Sequence, residues 1–142
     1  MKKNKIDVKY LCCIYATAPF IKNENLRKGF EIVSSEKANR AFTVAPFPAP
    51  ISKALKINEH GHIEMMYPEY SLTRSQDLPE AYYNAGQFHW YNVDYFVQST
   101  KISAGGVAPI IIQRYLAVDI DTPEDWETAE IIHQGLKTNN LL

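Results

Sequence analysis

With 142 residues, 46% hydrophobic and 22% charged, the chain has the size and balance of one globular domain with a substantial core. Its net charge of −1 supplies neither the basic field that nucleic acid attracts nor an acidic tail. No apolar run reaches membrane-spanning length and no secretory pattern follows the first lysines, so a cytoplasmic protein without membrane or nucleic-acid partners is expected.

Residues 1–5 are polar and expected to fray. Tyr10-Leu11-Cys12-Cys13-Ile14-Tyr15 is a continuous apolar run of strand length, as in a strand covered on both faces. Cys12 and Cys13 are adjacent, so they point to opposite faces and offer no disulfide; both read as small buried hydrophobes. Pro19 ends the run. Asn23 is placed to cap a helix from residue 24 to about 36, with Leu26, Phe30 and Val33 as its buried stripe. Ala41-Phe42-Thr43-Val44 returns as a strand. This strand–helix–strand unit predicts an α/β protein with a parallel sheet and helices on its faces.

Pro46, Pro48 and Pro50 stiffen the exit, and two short apolar runs at 54–57 and 63–66 flank a turn at Gly61, which predicts a hairpin. His60 and His62 lie in that turn without a carboxylate or cysteine cluster, so an exposed tip is expected rather than a metal site. Residues 67–83 are polar. A strand is then expected from Asn84 to Tyr91, a short helix through Tyr95 and Phe96, and a strand from Val107 to Ile112. The last helix begins at Pro123 and places Trp126, Ala129, Ile132 and Leu136 on one face.

Between these lies Arg114-Tyr115-Leu116-Ala117-Val118-Asp119-Ile120-Asp121. Alternation predicts a strand with Leu116, Val118 and Ile120 on one face and Asp119 and Asp121 on the other. Two carboxylates at a strand end repel each other unless a cation sits between them, and a divalent metal on a phosphate-bearing substrate is the usual one. The plainer reading is that both aspartates end the strand and assist the helix, since Thr122, Pro123 and Asp125 spell an N-cap, first helical residue and capping-box partner.

No dinucleotide or P-loop glycine motif occurs, nor a nucleophile elbow. A second polar constellation joins Arg74, Gln76, Asn84 and Gln87 with Tyr82, Tyr83, Phe88 and Trp90. Amides, a guanidinium and aromatic faces suit a carboxylated, hydroxyl-rich sugar, because arginine grips a carboxylate with two hydrogen bonds. A polar crossover loop above packed aromatics explains the same residues.

Taken together, Ile14-Tyr15-Ala16-Thr17-Ala18-Pro19-Phe20, Arg74-Ser75-Gln76-Asp77-Leu78-Pro79, Asn84-Ala85-Gly86-Gln87-Phe88 and Val118-Asp119-Ile120-Asp121-Thr122-Pro123-Glu124-Asp125-Trp126 resemble the acylneuraminate cytidylyltransferases, and within them the pseudaminic acid branch. The resemblance implies a three-layer, Rossmann-like nucleotide-diphospho-sugar transferase fold with a mixed, mainly parallel sheet. It also implies transfer of CMP from CTP to the anomeric hydroxyl of a nine-carbon keto sugar acid, with release of pyrophosphate, in bacterial surface-glycan synthesis. By that resemblance Asp119 and Asp121 are catalytic and hold Mg²⁺. Tyr15, Thr17, Arg74, Gln76, Asn84, Gln87 and Phe88 contact substrate, and Tyr15 replaces a glutamine of the sialic acid relatives.

The segment 51–90, hairpin included, would serve subunit pairing and sugar binding, so a homodimer is implied. The family's opening strand and basic phosphate loop have no counterpart here. The chain is therefore expected to be one incomplete domain, a carboxyl-terminal portion with little or no activity alone, an open sheet edge and exposed apolar surface. Other acceptors (sialic, legionaminic or 3-deoxy-octulosonic acid) and a non-catalytic, dimerising role are the competing readings.

Overall fold

The computed structural model describes residues 7–98 and 106–141, so the expected fraying of 1–5 lies outside the described residues. Strand β1 (Tyr10–Ile14) leads through helix α1 (Asn23–Ser34) to β2 (Arg40–Pro46). A hairpin of β3 (Leu55–Ile57) and β4 (Ile63–Met65) follows, then the long β5 (Tyr82–Asn92), α2 (Val93–Gln98), β6 (Val107–Ile111) and α3 (Pro123–Thr138).

The main sheet has the order β1-β5-β2-β6. Strand β5 runs antiparallel to both β1 and β2, while β6 is parallel to β2. Three strands thus point one way, and the reversed β5 is wedged inside the predicted strand–helix–strand unit. The α/β class and the mixed sheet are as expected, but β2–β6 is the only directly hydrogen-bonded parallel pair among the described residues.

Helix α1 covers one face. Its Gly29 lies so close to the sheet that an added Cβ would stand 2.5 Å from Trp90 Cδ1 and 3.1 Å from Ile110 Cδ1. The Trp90 indole N–H donates to Leu26 O at 3.0 Å, which satisfies the ring's polar atom against the helix. Val33, Phe88 and Ile110 complete this contact as fully buried side chains. Gly29→Ala gains ~1 kcal/mol of helix propensity but overpacks a rigid contact at about 1–3 kcal/mol. A net fall in the thermal midpoint is expected; an unchanged or raised midpoint would show that Trp90 yields freely.

Several local expectations are corrected. Among the described residues strand β1 lies at the sheet edge, with Leu11, Cys13 and Ile14 exposed and Cys12 half-buried, so it is not covered on both faces there. Burial, then the neighbouring Cys13, raises the Cys12 thiol pKa. Lys22, not Asn23, takes the N-cap of α1, with no side-chain cap bond; its carbonyl accepts from Asn25 and Leu26. The helix ends at Ser34, and Glu36 follows in the left-handed region at φ 59°. Phe30 is exposed, although its ring edges onto Tyr10 and packs on Trp90.

The largest correction concerns 114–121. The β2–β6 ladder closes with Ile112 N–H donating to Val44 O, and Arg114–Leu116 then coils into a 3₁₀ turn. Residues 117–121 are not a strand. Alternation misled here because, among the described residues, no strand pairs with the chain beyond Ile112. Val118 and Ile120 nevertheless pack on the core, and the capping box at Thr122 and Asp125 forms as predicted.

The hairpin also forms as predicted. Gly61 turns at φ +76°, and Asn58 Oδ1 accepts from the amides of His60 and His62 at the exposed tip. Lys56 and Glu64 pair at 3.0 Å on one face. The other face presents Leu55, Ile57 and Ile63, which are 58%, 74% and 69% exposed.

Candidate functional site

Three segments converge beside the carboxyl end of β1. Between the pairs Phe42↔His89 and Val44↔Asn84 the β2–β5 register shifts, so β5 bulges. Gly86 lies in the bulge at φ +64°, and its N–H donates to Asn84 Oδ1 at 3.0 Å. A bulge with a left-handed residue favours glycine. The loop after β1 reaches this bulge through Tyr15 N–H donating to Gln87 O at 2.9 Å. The segment after β6 joins the same loop, with Ile120 N–H donating to Thr17 O at 3.1 Å.

These tethers set Asp119 directly against Gly86, where an added Cβ would fall 2.6 Å from Oδ2. Asp119 Oδ1 is buried and has no hydrogen-bond partner. A buried carboxylate oxygen without a donor is costly and calls for a cation or a donor from outside. Asp121 is exposed two residues on. Asp125 is committed elsewhere: Oδ2 accepts from the Thr122 hydroxyl and amide, both at 2.8 Å, and from the Asp121 amide at 3.1 Å. Those bonds, the Thr122 hydroxyl first, hold its carboxyl pKa below the usual carboxylate value. Asp119 and Asp121 thus remain as oxygen donors of the kind Mg²⁺ takes. Among the described residues no third acid, His or Cys completes a protein-only metal cluster. The set suits an ion that keeps waters and substrate phosphates in its shell.

The other predicted substrate residues are placed unevenly. Gln87 is fully buried; its Nε2 donates to Leu116 O at 2.8 Å and Phe20 O at 3.3 Å. It staples the two loops together from below. Phe88 is core. Arg74 and Gln76 lie on an exposed 3₁₀ turn, and Arg74 is bound through two nitrogens to Asp77 at 2.8 and 3.2 Å. Tyr15 and Asn84 are exposed and meet at His89: the Tyr15 ring is 5.5 Å from the imidazole, and Asn84 Nδ2 is 3.5 Å from Nε2.

Sequence reasoning missed His89, Arg40 and Gly86. His89 is 2% exposed, stacked 6.1 Å from Tyr91 and 4.9 Å from Phe42. Arg40 Nη2 donates to its Nδ1 at 3.0 Å. Because arginine can only donate, Nδ1 must be unprotonated. Burial, and then the Arg40 charge, lower the imidazole pKa to about 4. The signals were a lone cation at the head of an apolar strand, a histidine among aromatics, and a glycine inside a strand. An open apolar groove of about 560 Å³ lies nearby, between Pro19, Phe20 and Ile120 and the α3 residues Trp126 and Ala129.

No family model matches the chain. It is 30% identical over 125 residues, 88% of its length, to the pseudaminic acid cytidylyltransferases of Campylobacter jejuni serotypes O:2 and O:23/36. It is also 26% identical over 114 residues, or 80% of its length, to a Helicobacter pylori protein. That protein is named as pseudaminic acid cytidylyltransferase and UDP-2,4-diacetamido-2,4,6-trideoxy-beta-L-altropyranose hydrolase, and the match spans 20% of it. The chain spans about half the length, 54%, of the two Campylobacter relatives. The motif resemblance is therefore a homology that runs along most of this chain: it is a homologue of the carboxyl-terminal part of the pseudaminic acid cytidylyltransferases.

Proposed function

We propose that this chain carries the metal- and sugar-binding part of a CTP-dependent cytidylyltransferase of the nucleotide-diphospho-sugar transferase fold. In the reaction the anomeric oxygen of a nonulosonic acid, pseudaminic acid by the relatives' name, bonds to the α-phosphorus of CTP. The bond to the pyrophosphate leaving group breaks, and the hydroxyl proton is released. The observation that carries this reading is the unpartnered, buried Oδ1 of Asp119 beside Gly86. Asp119 and Asp121 would hold Mg²⁺, which when bound neutralises phosphate charge and helps ionise the attacking hydroxyl. The chain's own part is positional. Gln87 fixes the two loops, Thr17 O anchors the backbone next to Asp119, and Tyr15 and Asn84 line the approach.

The test is pyrophosphate release with CTP, Mg²⁺ and pseudaminic acid, with Asp121→Ala alongside, and Mn²⁺ binding followed by NMR line broadening at Gly86. Mn²⁺ broadening centred on Gly86 and lost in Asp121→Ala, with little or no turnover by the chain alone, is the expected result. Absence of both turnover and metal binding in the wild-type chain would sink the proposal.

The same reading includes a cytoplasmic homodimer formed through the hairpin. A two-stranded hairpin is marginal alone, and three large apolar side chains on one face, 58–74% exposed, favour a second copy over solvent. Ile57→Asp is expected to shift the protein to monomer in sedimentation velocity. An unchanged distribution would move the interface elsewhere.

A further inference from the structure

The predicted carboxylate grip, Arg74, is already occupied by Asp77, which leaves the acid group of a sugar acid without an assigned partner. Arg40 is differently placed. It is half-buried, and among the described residues no carboxylate lies within ion-pair distance of it. Its guanidinium carbon stands 4.9 Å from the Phe42 ring centroid and 5.2 Å from that of Tyr91. Aromatic faces hold a cation in place without neutralising it. Its guanidinium hydrogen-bonds the neutral imidazole of His89 and the side chain of Tyr91, neither of which is a carboxylate, and its Nε is buried with no partner.

Further donors lie close to it. With Nδ1 of His89 taken by Arg40, the ring proton resides on Nε2, which faces the Asn84 amide nitrogen, itself a donor. Asn84 Oδ1 is engaged by the Gly86 amide. One uncompensated positive charge and several donors thus share a sheet face with Tyr15 and Asn84, both exposed. Such a face is complementary to an oxyanion, and a planar guanidinium fork suits a carboxylate in particular.

We propose that Arg40 is the residue that grips the carboxylate of the sugar acid, with His89 positioning it and Asn84 and Tyr15 forming the rim. The inference rests on the reading of this site as a sugar-acid site.

The experiment measures binding of pseudaminic acid and its methyl ester by calorimetry, to the wild-type chain and to Arg40→Gln and Arg40→Lys. Inorganic phosphate serves as competitor. A charged hydrogen-bonded pair contributes on the order of tenfold in affinity. The expected result is therefore roughly a tenfold preference for the acid in the wild type, lost in Arg40→Gln and partly restored in Arg40→Lys. Should Arg40→Gln unfold, the Lys variant decides, since a point charge without the fork should bind the acid several-fold more weakly.

A preference for the acid that survives both substitutions overturns the role of Arg40 and leaves the sugar-acid reading standing. Phosphate competition that depends on Arg40, with acid and ester bound alike, overturns the carboxylate assignment in favour of a phosphate of the nucleotide. A wild-type chain that binds neither sugar overturns this inference together with the proposed function.

Discussion

Gly86→Ala is expected to weaken divalent-metal binding by tenfold or more and to lower stability at the same time. Alanine in the left-handed conformation that Gly86 adopts costs about 1–2 kcal/mol. The steric effect is the more informative one. The new methyl would stand 2.6 Å from Asp119 Oδ2, 3.0 Å from Cγ and 3.2 Å from Cβ, so the whole side chain must move rather than one oxygen. Asp119 has little freedom to retreat, because the next residue is tied to Thr17 O by Ile120 N–H and Val118 and Ile120 pack on the core. A displaced carboxylate no longer aligns with Asp121, and metal affinity falls steeply with ligand misplacement. Mn²⁺ titration followed by line broadening, with Asp119→Asn as reference, reads the effect directly. If Gly86→Ala loses stability yet binds Mn²⁺ as the wild type does, Asp119 is not a ligand and the buried oxygen has another purpose.

The parts legible in the sequence are those governed by neighbours along the chain. Thr122, Pro123 and Asp125 encode a capping box within four residues, and it forms with both reciprocal bonds. Gly61 between two apolar runs encodes a turn, and it forms at positive φ. What the sequence hid was decided by partners far away in the chain. Whether 117–121 joins a ladder depends on how far β2 extends beside it, and β2 offers its last bond at Val44 O. The reversed β5 is invisible in the strand–helix–strand pattern, because it enters from beyond the hairpin, starting at Tyr82, to sit between β1 and β2.

The candidate site divides along the same line. Asp119 and Asp121 were found because two acids at alternate positions stand out locally. Arg74 looked free because its residue type suits a carboxylate, yet an acid three residues on, Asp77, takes it, a pairing the i, i+3 spacing already allowed. Arg40 and His89 are 49 positions apart, and only the β2–β5 register makes them one unit.

That unit should make stability depend on pH between the two histidine pKa values. In the unfolded chain His89 titrates near 6.5, and in the fold near 4. Above pH 6.5 both states are neutral at this residue and its contribution is fully present. As pH falls below 6.5 the unfolded state takes up a proton that the folded state refuses, so stability declines with a slope of one proton until pH reaches about 4. The loss over that window is about 3 kcal/mol, an upper limit for a group that relaxes when charged. His89→Phe keeps an aromatic ring among Tyr15, Phe42 and Tyr91 but cannot protonate. It should therefore have a shallower pH dependence, by one proton, between pH 6.5 and 4. At pH 7.5 the variant should be less stable by about 1–2 kcal/mol, because Arg40 Nη2 loses its acceptor. Urea unfolding at half-unit pH steps gives both quantities, and the exposed carboxylates contribute equally to the two proteins and cancel in the difference. Parallel curves would mean that the folded protein accommodates a charged His89 beside Arg40. Since two adjacent cations are tolerated only with a counter-anion, that result would in turn require an acidic group facing them.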